Sequence, residues 1–120
     1  MRVAGFGFRS AAGTASLADA LAHALVGAGC ADALATAPDK ACAAAIRQLA
    51  HQTGLPLLAV EVAGITTPTQ SPRILARYGT GSLAEAAALA VLAPGARLVV
   101  PRLTSQDGMA TCAIAEGDPR

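Results

Sequence analysis

Three polar segments carry most of the residues able to do chemistry. In YGTGS, followed by LAEAAAL, Ser82 and Glu85 stand at the S-x-x-E spacing of a capping box, where each side chain satisfies a free backbone N–H of a helix's first turn. Gly79 and Gly81 precede them, and a glycine-flanked helix start is also a ready anion site. TTPTQS gathers Thr69, Gln70 and Ser71 beside Pro68; its hydroxyls suit a ligand, and equally suit turn chemistry with Ser71 as a helix cap. GFGFRSAAGTAS sets Arg9 among small residues and follows it with Gly13, Thr14 and Ser16, ahead of a helix whose dipole favours an anion. Arg9 is read either as a ligand contact or as a solvated loop cation. The candidate ligand set is therefore Arg9, Gly13, Thr14, Thr69, Gln70, Ser71, Gly79, Gly81 and Ser82. Glu85 is the one carboxylate offered for catalysis, and its capping spacing accounts for it without acid–base work.

Other chemistries lack their residues. The first loop has G-x-G with its next glycine at Gly13 instead of G-x-G-x-x-G, and no acid ends the following ADALAT, which disfavours a dinucleotide site. His23 and His51 fall within helices and are read as neither triad members nor metal ligands. Asp19 and Asp39 are read as first-turn acids of their helices. Cys30, Cys42 and Cys112 are odd in number and far apart, which fits reduced thiols used as small apolar residues; no zinc pattern exists, and no cofactor or metal is expected.

Hydrophobic residues are 53% of the chain, charged ones 14% and aromatics 2%, so the interior is built from alanine, valine and leucine, the opposite of a disordered composition. The formal charge of +1 provides no overall basic field for nucleic acid. Eight of the nine cationic residues are arginine, with Lys40 the only lysine; arginine's planar fork suits carboxylates or phosphates, although coding bias also enriches it. The apolar start MRVAGFGF is too short for a secretory leader, and no stretch reaches the length of a membrane span, so the expected location is cytoplasmic with no membrane partner.

The elements that must position these residues alternate. RVAGFGF reads as a buried strand, SLADALAHALVGAG as a helix closed by Gly27 or Gly29, and ADALAT as a second strand. Thr36 is expected to cap one helix running through DKACAAAIRQLAHQT to Gly54, and LPLLAVEV is the clearest strand. Ser71 and Pro72 start a short helix ending at Tyr78, and a further helix covers Ser82 to Leu92. ARLVVPRL and MATCAIAEG form two strands across the turn at Asp107 and Gly108, too close for a crossover and hence antiparallel, while the tail DPR should be loose. This order predicts one domain over residues 1–120, of α/β class: a three-layer α/β/α arrangement around a mixed sheet of about five strands, mostly parallel with an antiparallel C-terminal strand. Ligands of such sheets gather beyond the carboxyl ends of the strands, where the three polar segments would converge.

GFGFRSAAGTAS, TAPDKACAAAIRQLAHQTGLPL, TPTQSPRILARYGTGSLAEAAAL and ATCAIAEG, in that order and across nearly the whole chain, resemble the CobE and CbiG C-terminal domain family of cobalamin (vitamin B12) biosynthesis, and stand-alone CobE most. The resemblance implies a three-layer α/β fold and a role in making the corrin ring of that tetrapyrrole. CbiG-type enzymes open a lactone on a cobalt-precorrin and expel a two-carbon fragment with the aid of an additional N-terminal region that is not seen here. The resemblance to CobE, of the aerobic route, therefore implies binding or handling of a precorrin or corrin polycarboxylate. Hydrolysis or rearrangement of the macrocycle, and service as an accessory subunit of another cobalamin biosynthesis enzyme, are its alternatives. So apolar a chain is also compatible with a homo-oligomer.

Overall fold

The computed structural model describes residues 1–120. Five strands, β1 (Arg2–Phe8), β2 (Ala33–Thr36), β3 (Leu57–Ala59), β4 (Arg97–Thr104) and β5 (Ala110–Glu116), form one sheet in the order β3-β2-β1-β5-β4. β1, β2 and β3 are parallel, and β5 runs antiparallel to both β1 and β4, so the sheet is mixed with one reversed strand, as expected. Helices α1 (Thr14–Ala28), α2 (Pro38–Ala41), α3 (Ala44–Thr53), α4 (Pro72–Tyr78) and α5 (Leu83–Ala90) complete the chain. No helix is long and apolar enough to cross a membrane.

Two apolar cores sandwich the sheet. Ala4 and Phe6 of β1, Leu34, Cys112 and Ile114 face Leu17, Leu21 and Ala24 of α1 and Ile46 and Leu49 of α3. On the other side Val3, Ala35 and Ala115 face Leu83, Ala86, Ala87 and Ala88 of α5. The alternation of one strand between two cores follows from the two-residue period of side chains along it. Burial also pushes up the pKa of the Cys112 thiol, which behaves as a small apolar group, whereas Cys30 and Cys42 are exposed.

The glycines of GFGF belong to the strand, not to a loop. A Cβ on Gly5 would lie 2.0 Å from the Ala84 carbonyl oxygen, and one on Gly7 2.9 Å from Thr111 Oγ1. They let α5 lie directly on β1, and the alanines of α5 answer them from the helix side.

Several sequence expectations are corrected. Thr36 does not cap a helix: it is fully buried in β2 and donates its hydroxyl to the Phe6 carbonyl at 2.9 Å, while Ala37 is the N-cap and Pro38 begins α2. The single helix to Gly54 is two, broken at Cys42 and Ala43, although Gly54 does end α3 in the left-handed conformation. LPLLAVEV yields only three strand residues, because the chain leaves the sheet edge after Ala59 and Val62 turns into the α5 core. Asp19 is not in a first turn, since α1 starts at Thr14. It pairs with His23 one helical turn later, at 3.5 Å. The tail is anchored: Leu92 bridges Pro119, and Arg120 Nε donates to the Ala90 carbonyl at 3.1 Å.

Candidate functional site

Because β4 runs parallel to β1, the carboxyl ends of β1, β2 and β4 share one edge of the sheet with the start of β5. A cleft of about 860 Å3 opens over that edge, within the ~300–1,000 Å3 span of small-molecule sites. Gly7 and Phe8 of β1, Ala110 and Thr111 of β5 and Leu83 of α5 line it from below, while Arg9 to Ala11, α2, α4, the end of β4 and the β4–β5 turn surround it. The edge is the one where the chain departs from β1 toward β2 and β3 on one side, with β5 and β4 on the other, the usual place for a ligand in an open α/β sheet.

Charge distinguishes the cleft. Arg9, Lys40, Arg73, Arg77 and Arg102 line it, five of the chain's nine cations, and not one of its 19 lining residues is Asp or Glu. Arg9, Lys40, Arg73 and Arg102 take part in none of the molecule's ion pairs; Arg77 alone has one, to Asp39 at 3.2 Å. Burial, with the Arg77 and Arg73 guanidinium groups adding repulsion, lowers the pKa of Lys40 against the pull of Asp39. Its ammonium sits 5.0 Å above the Phe8 ring, a cation–π contact that partly replaces lost water. Burial likewise raises the Tyr78 phenol to about 12, reinforced by its hydrogen bond and proximity to the Asp39 carboxylate. Between these groups Phe8, Ile74, Leu83 and Met109 supply apolar surface.

Glu85 builds the site from beneath. It is fully buried, and its carboxylate accepts from the Thr69 N–H at 2.9 Å, the Thr69 hydroxyl at 3.0 Å and the Arg102 N–H at 3.0 Å. Half of the capping box is present, with Ser82 Oγ accepting from the Glu85 N–H at 3.3 Å. The return bond is replaced: the Glu85 side chain ties the loop before α4 and strand β4 to the start of α5. The Arg102 N–H is free for this because β4 carries an extra residue between Val100 and Leu103 relative to β5, and such a bulge leaves a donor unpaired and re-aims the side chain. The β4–β5 turn is fastened separately, by Ser16 Oγ donating to Asp107 and the Gln106 N–H donating to Asp19 at 2.7 Å. Hydrogen bonds from Ser105, Ser16 and the Met109 N–H hold the Asp107 carboxyl below its ordinary pKa.

Of the nine ligand candidates, the structure brings Arg9, Ser71 and Ser82 to the cleft. Each represents one of the three polar segments, which do meet at the carboxyl edge. The other six stand back from it. Thr14 Oγ1 donates to Gln48 Oε1 at 2.9 Å, joining α1 to α3, and Gly13 is the N-cap of α1. Thr69 is held by Glu85, and Gln70 Nε2 donates to the Thr67 carbonyl at 2.7 Å. Gly79 ends α4 at φ 71°, and Gly81 lies under Gln70, where a Cβ would come within 2.7 Å of its side-chain amide. None of these six lines the cleft. Sequence reasoning missed Lys40, Arg73, Arg77 and Arg102; the enrichment in arginine was the available signal, but it carries no positions.

Comparison with known proteins follows the same line. A family model described as "Cobalamin synthesis G C-terminus" matches residues 2–115. Among solved structures, CobE, described as a protein from the cobalamin (vitamin B12) biosynthetic pathway, is 26% identical with a TM-score of 0.81 over 100% of this chain and 92% of its own. The cobalamin biosynthesis protein chiG from Agrobacterium tumefaciens str. C58 is 33% identical with a TM-score of 0.71, covering 98% of each chain. No curated protein matches the sequence.

Proposed function

Because the chain belongs to the Cobalamin synthesis G C-terminus family of cobalamin biosynthesis proteins, we propose that its cleft binds a precorrin or corrin intermediate by the carboxylates around the ring. The observation that carries this reading is the set of five cations on a cleft with no lining carboxylate. Precorrins surround an apolar macrocycle with acetate and propionate groups. Such a ligand calls for separated cationic contacts at the rim and apolar surface between them, which Arg9, Arg73 and Arg102 on one hand and Phe8, Ile74, Leu83 and Met109 on the other provide. Binding without conversion is favoured by the state of Glu85, whose oxygens are enclosed by three donors of the chain itself and lie outside the cleft lining.

Titration with a corrin polycarboxylate, followed by absorbance, tests the reading. A saturable spectral change that weakens as salt rises is expected, since rim ion pairs are screened. No saturable change with folded protein overturns it.

A further inference from the structure

Asp39 is the only acid that reaches the cationic group of the cleft, and it does so from behind. It sits on α2 and bridges to α4: Arg77 Nη2 donates to Asp39 Oδ2 at 3.2 Å, and the Tyr78 hydroxyl donates to the same oxygen at 2.9 Å. Asp39 and Arg77 share a side pocket of about 390 Å3 with Phe8, Ser10 and Lys40, and all but Asp39 of these five also line the main cleft. Arg77 therefore stands in the wall between two spaces. Its guanidinium is engaged on the side-pocket face by a carboxylate of the protein and borders the main cleft as well. A guanidinium has five donors in a fixed fork, and Asp39 takes one of them.

We propose that Asp39 is a resident anion that competes with a ligand carboxylate for Arg77, so that it sets how strongly the cleft holds a polyacid. The inference rests on the polycarboxylate reading above. In the empty protein the Asp39 carboxylate offsets one of five crowded cations and keeps α2 and α4 together across the end of the cleft. An entering carboxylate draws on the same guanidinium, and each ligand acid that reaches Arg77 does so against Asp39. Lys40, next to Asp39 in sequence, and Arg73, one turn before Arg77, are the other charges facing this contact.

The test is a double-mutant cycle read by binding of a corrin polycarboxylate. Asp39→Asn keeps the shape and an acceptor for Tyr78 while removing the charge, and its dissociation constant should fall roughly three- to fivefold, the scale of an exposed ion pair. Asp118→Asn, at the opposite edge of the sheet, removes an equal charge remotely and should change binding little. In an Arg77→Gln background the gain from Asp39→Asn should vanish, because the competitor has lost what it competes for. Equal gains in both backgrounds, or from Asp118→Asn, would mean a general field and overturn the proposal, as would unchanged or weaker binding by folded Asp39→Asn. The protein has one tyrosine and no tryptophan, so the ultraviolet titration of Tyr78 reports the contact without ligand. It should shift to lower pH in Asp39→Asn, from about 12 toward the ordinary phenol value of 10.0. A wild-type protein that binds no corrin acid fails the functional reading instead, and is recognised by that curve alone.

Discussion

Arginine is used in two ways at the two edges of the sheet. At the edge where β1 begins, Arg97 pairs with Glu116 at 3.1 Å, Arg2 approaches the same carboxylate at 3.6 Å and also donates to the Ala28 carbonyl, and Arg120 donates to Ala90. There each guanidinium closes a gap between elements: strand to strand, strand to the end of α1, tail to the end of α5. At the opposite edge, where β1 ends, Arg9, Arg73 and Arg102 pair with no acid and Arg77 with one. The residue type is the same, so what differs is whether the fold has placed an acceptor beside it. An edge whose cations have acceptors is finished by folding, and one whose cations lack them is left open to an acidic ligand. The formal charge of +1 averages these two edges and reports neither.

The largest effect is expected from reversing the ligand edge. Replacing Arg9 and Arg102 by Glu exchanges two attractions for two repulsions; at about 1.4 kcal/mol each, binding of a corrin polycarboxylate should weaken by about 100-fold. Both side chains are exposed and unpaired, so thermal stability should move by no more than ~0.5 kcal/mol. Isothermal titration and a melting curve on the same sample check this. A large loss of stability would show that these cations serve the fold after all, and the contrast between the edges would dissolve.

Glu85 sharpens the comparison from the other direction, as the carboxylate near the ligand edge that the fold has fully consumed. Glu85→Gln keeps one acceptor oxygen but turns an amide N–H2 toward donors at Thr69 or Arg102. Losing the charge-assisted bonds of a buried carboxylate should lower unfolding free energy by about 2 kcal/mol, measurable in urea. Binding should weaken less than it does in the Arg9 and Arg102 double variant, because Glu85 acts on ligand only indirectly, through the positions of Arg102 and of the loop before α4. Stability equal to wild type would sink the account of Glu85 as the tie beneath the cleft.

Lys40 gives a smaller effect, read as pH dependence. Burial and the neighbouring guanidinium groups lower its pKa in the free protein, and bound carboxylates favour its ammonium and raise it again. Binding therefore takes up protons, so affinity is complete below the free-protein pKa of Lys40 and falls as pH rises through it, below the ordinary 10.5. Lys40→Arg should flatten that fall, since arginine stays charged throughout. A decline of the same size in Lys40→Arg would assign it to another group.

How much of this was legible in the sequence depended on the range of the interactions involved. The strand and helix order, the reversed C-terminal strand, and the Ser71 and Ser82 caps were readable because period and capping are local. The edge that holds the cleft was readable too, since it follows from strand direction alone. Position 9 was readable from its loop, but positions 40, 73, 77 and 102 were not, because they join it only after α2, α4 and β4 have packed around the end of β1. Local reading also misassigned side chains that tertiary contacts claim first. Thr36 looked like a cap and became a bond between β1 and β2. Glu85 had the spacing to reach Ser82, yet two backbone donors from elsewhere were closer to hand. RVAGFGF was readable as a strand, but nothing in the sequence says that a helix far along the chain will lie on Gly5 and Gly7.

The smallest expected effect belongs to the finished edge. Glu116 is the shared acceptor for Arg2 and Arg97, and its side chain is 35% exposed beside an Arg97 that is 72% exposed. Ion pairs so open to water contribute about 0.2–1 kcal/mol, so Glu116→Gln should lower stability by that much at low salt. At about 1 M salt, where the screening length drops to ~3 Å, variant and wild type should converge. Corrin polycarboxylate binding should be unchanged at either salt, because the pair lies across the sheet from the cleft. Tighter binding by Glu116→Gln would mean that the molecule presents one diffuse field to the ligand, and that the placement of acceptors at the two edges does not decide where an acid binds.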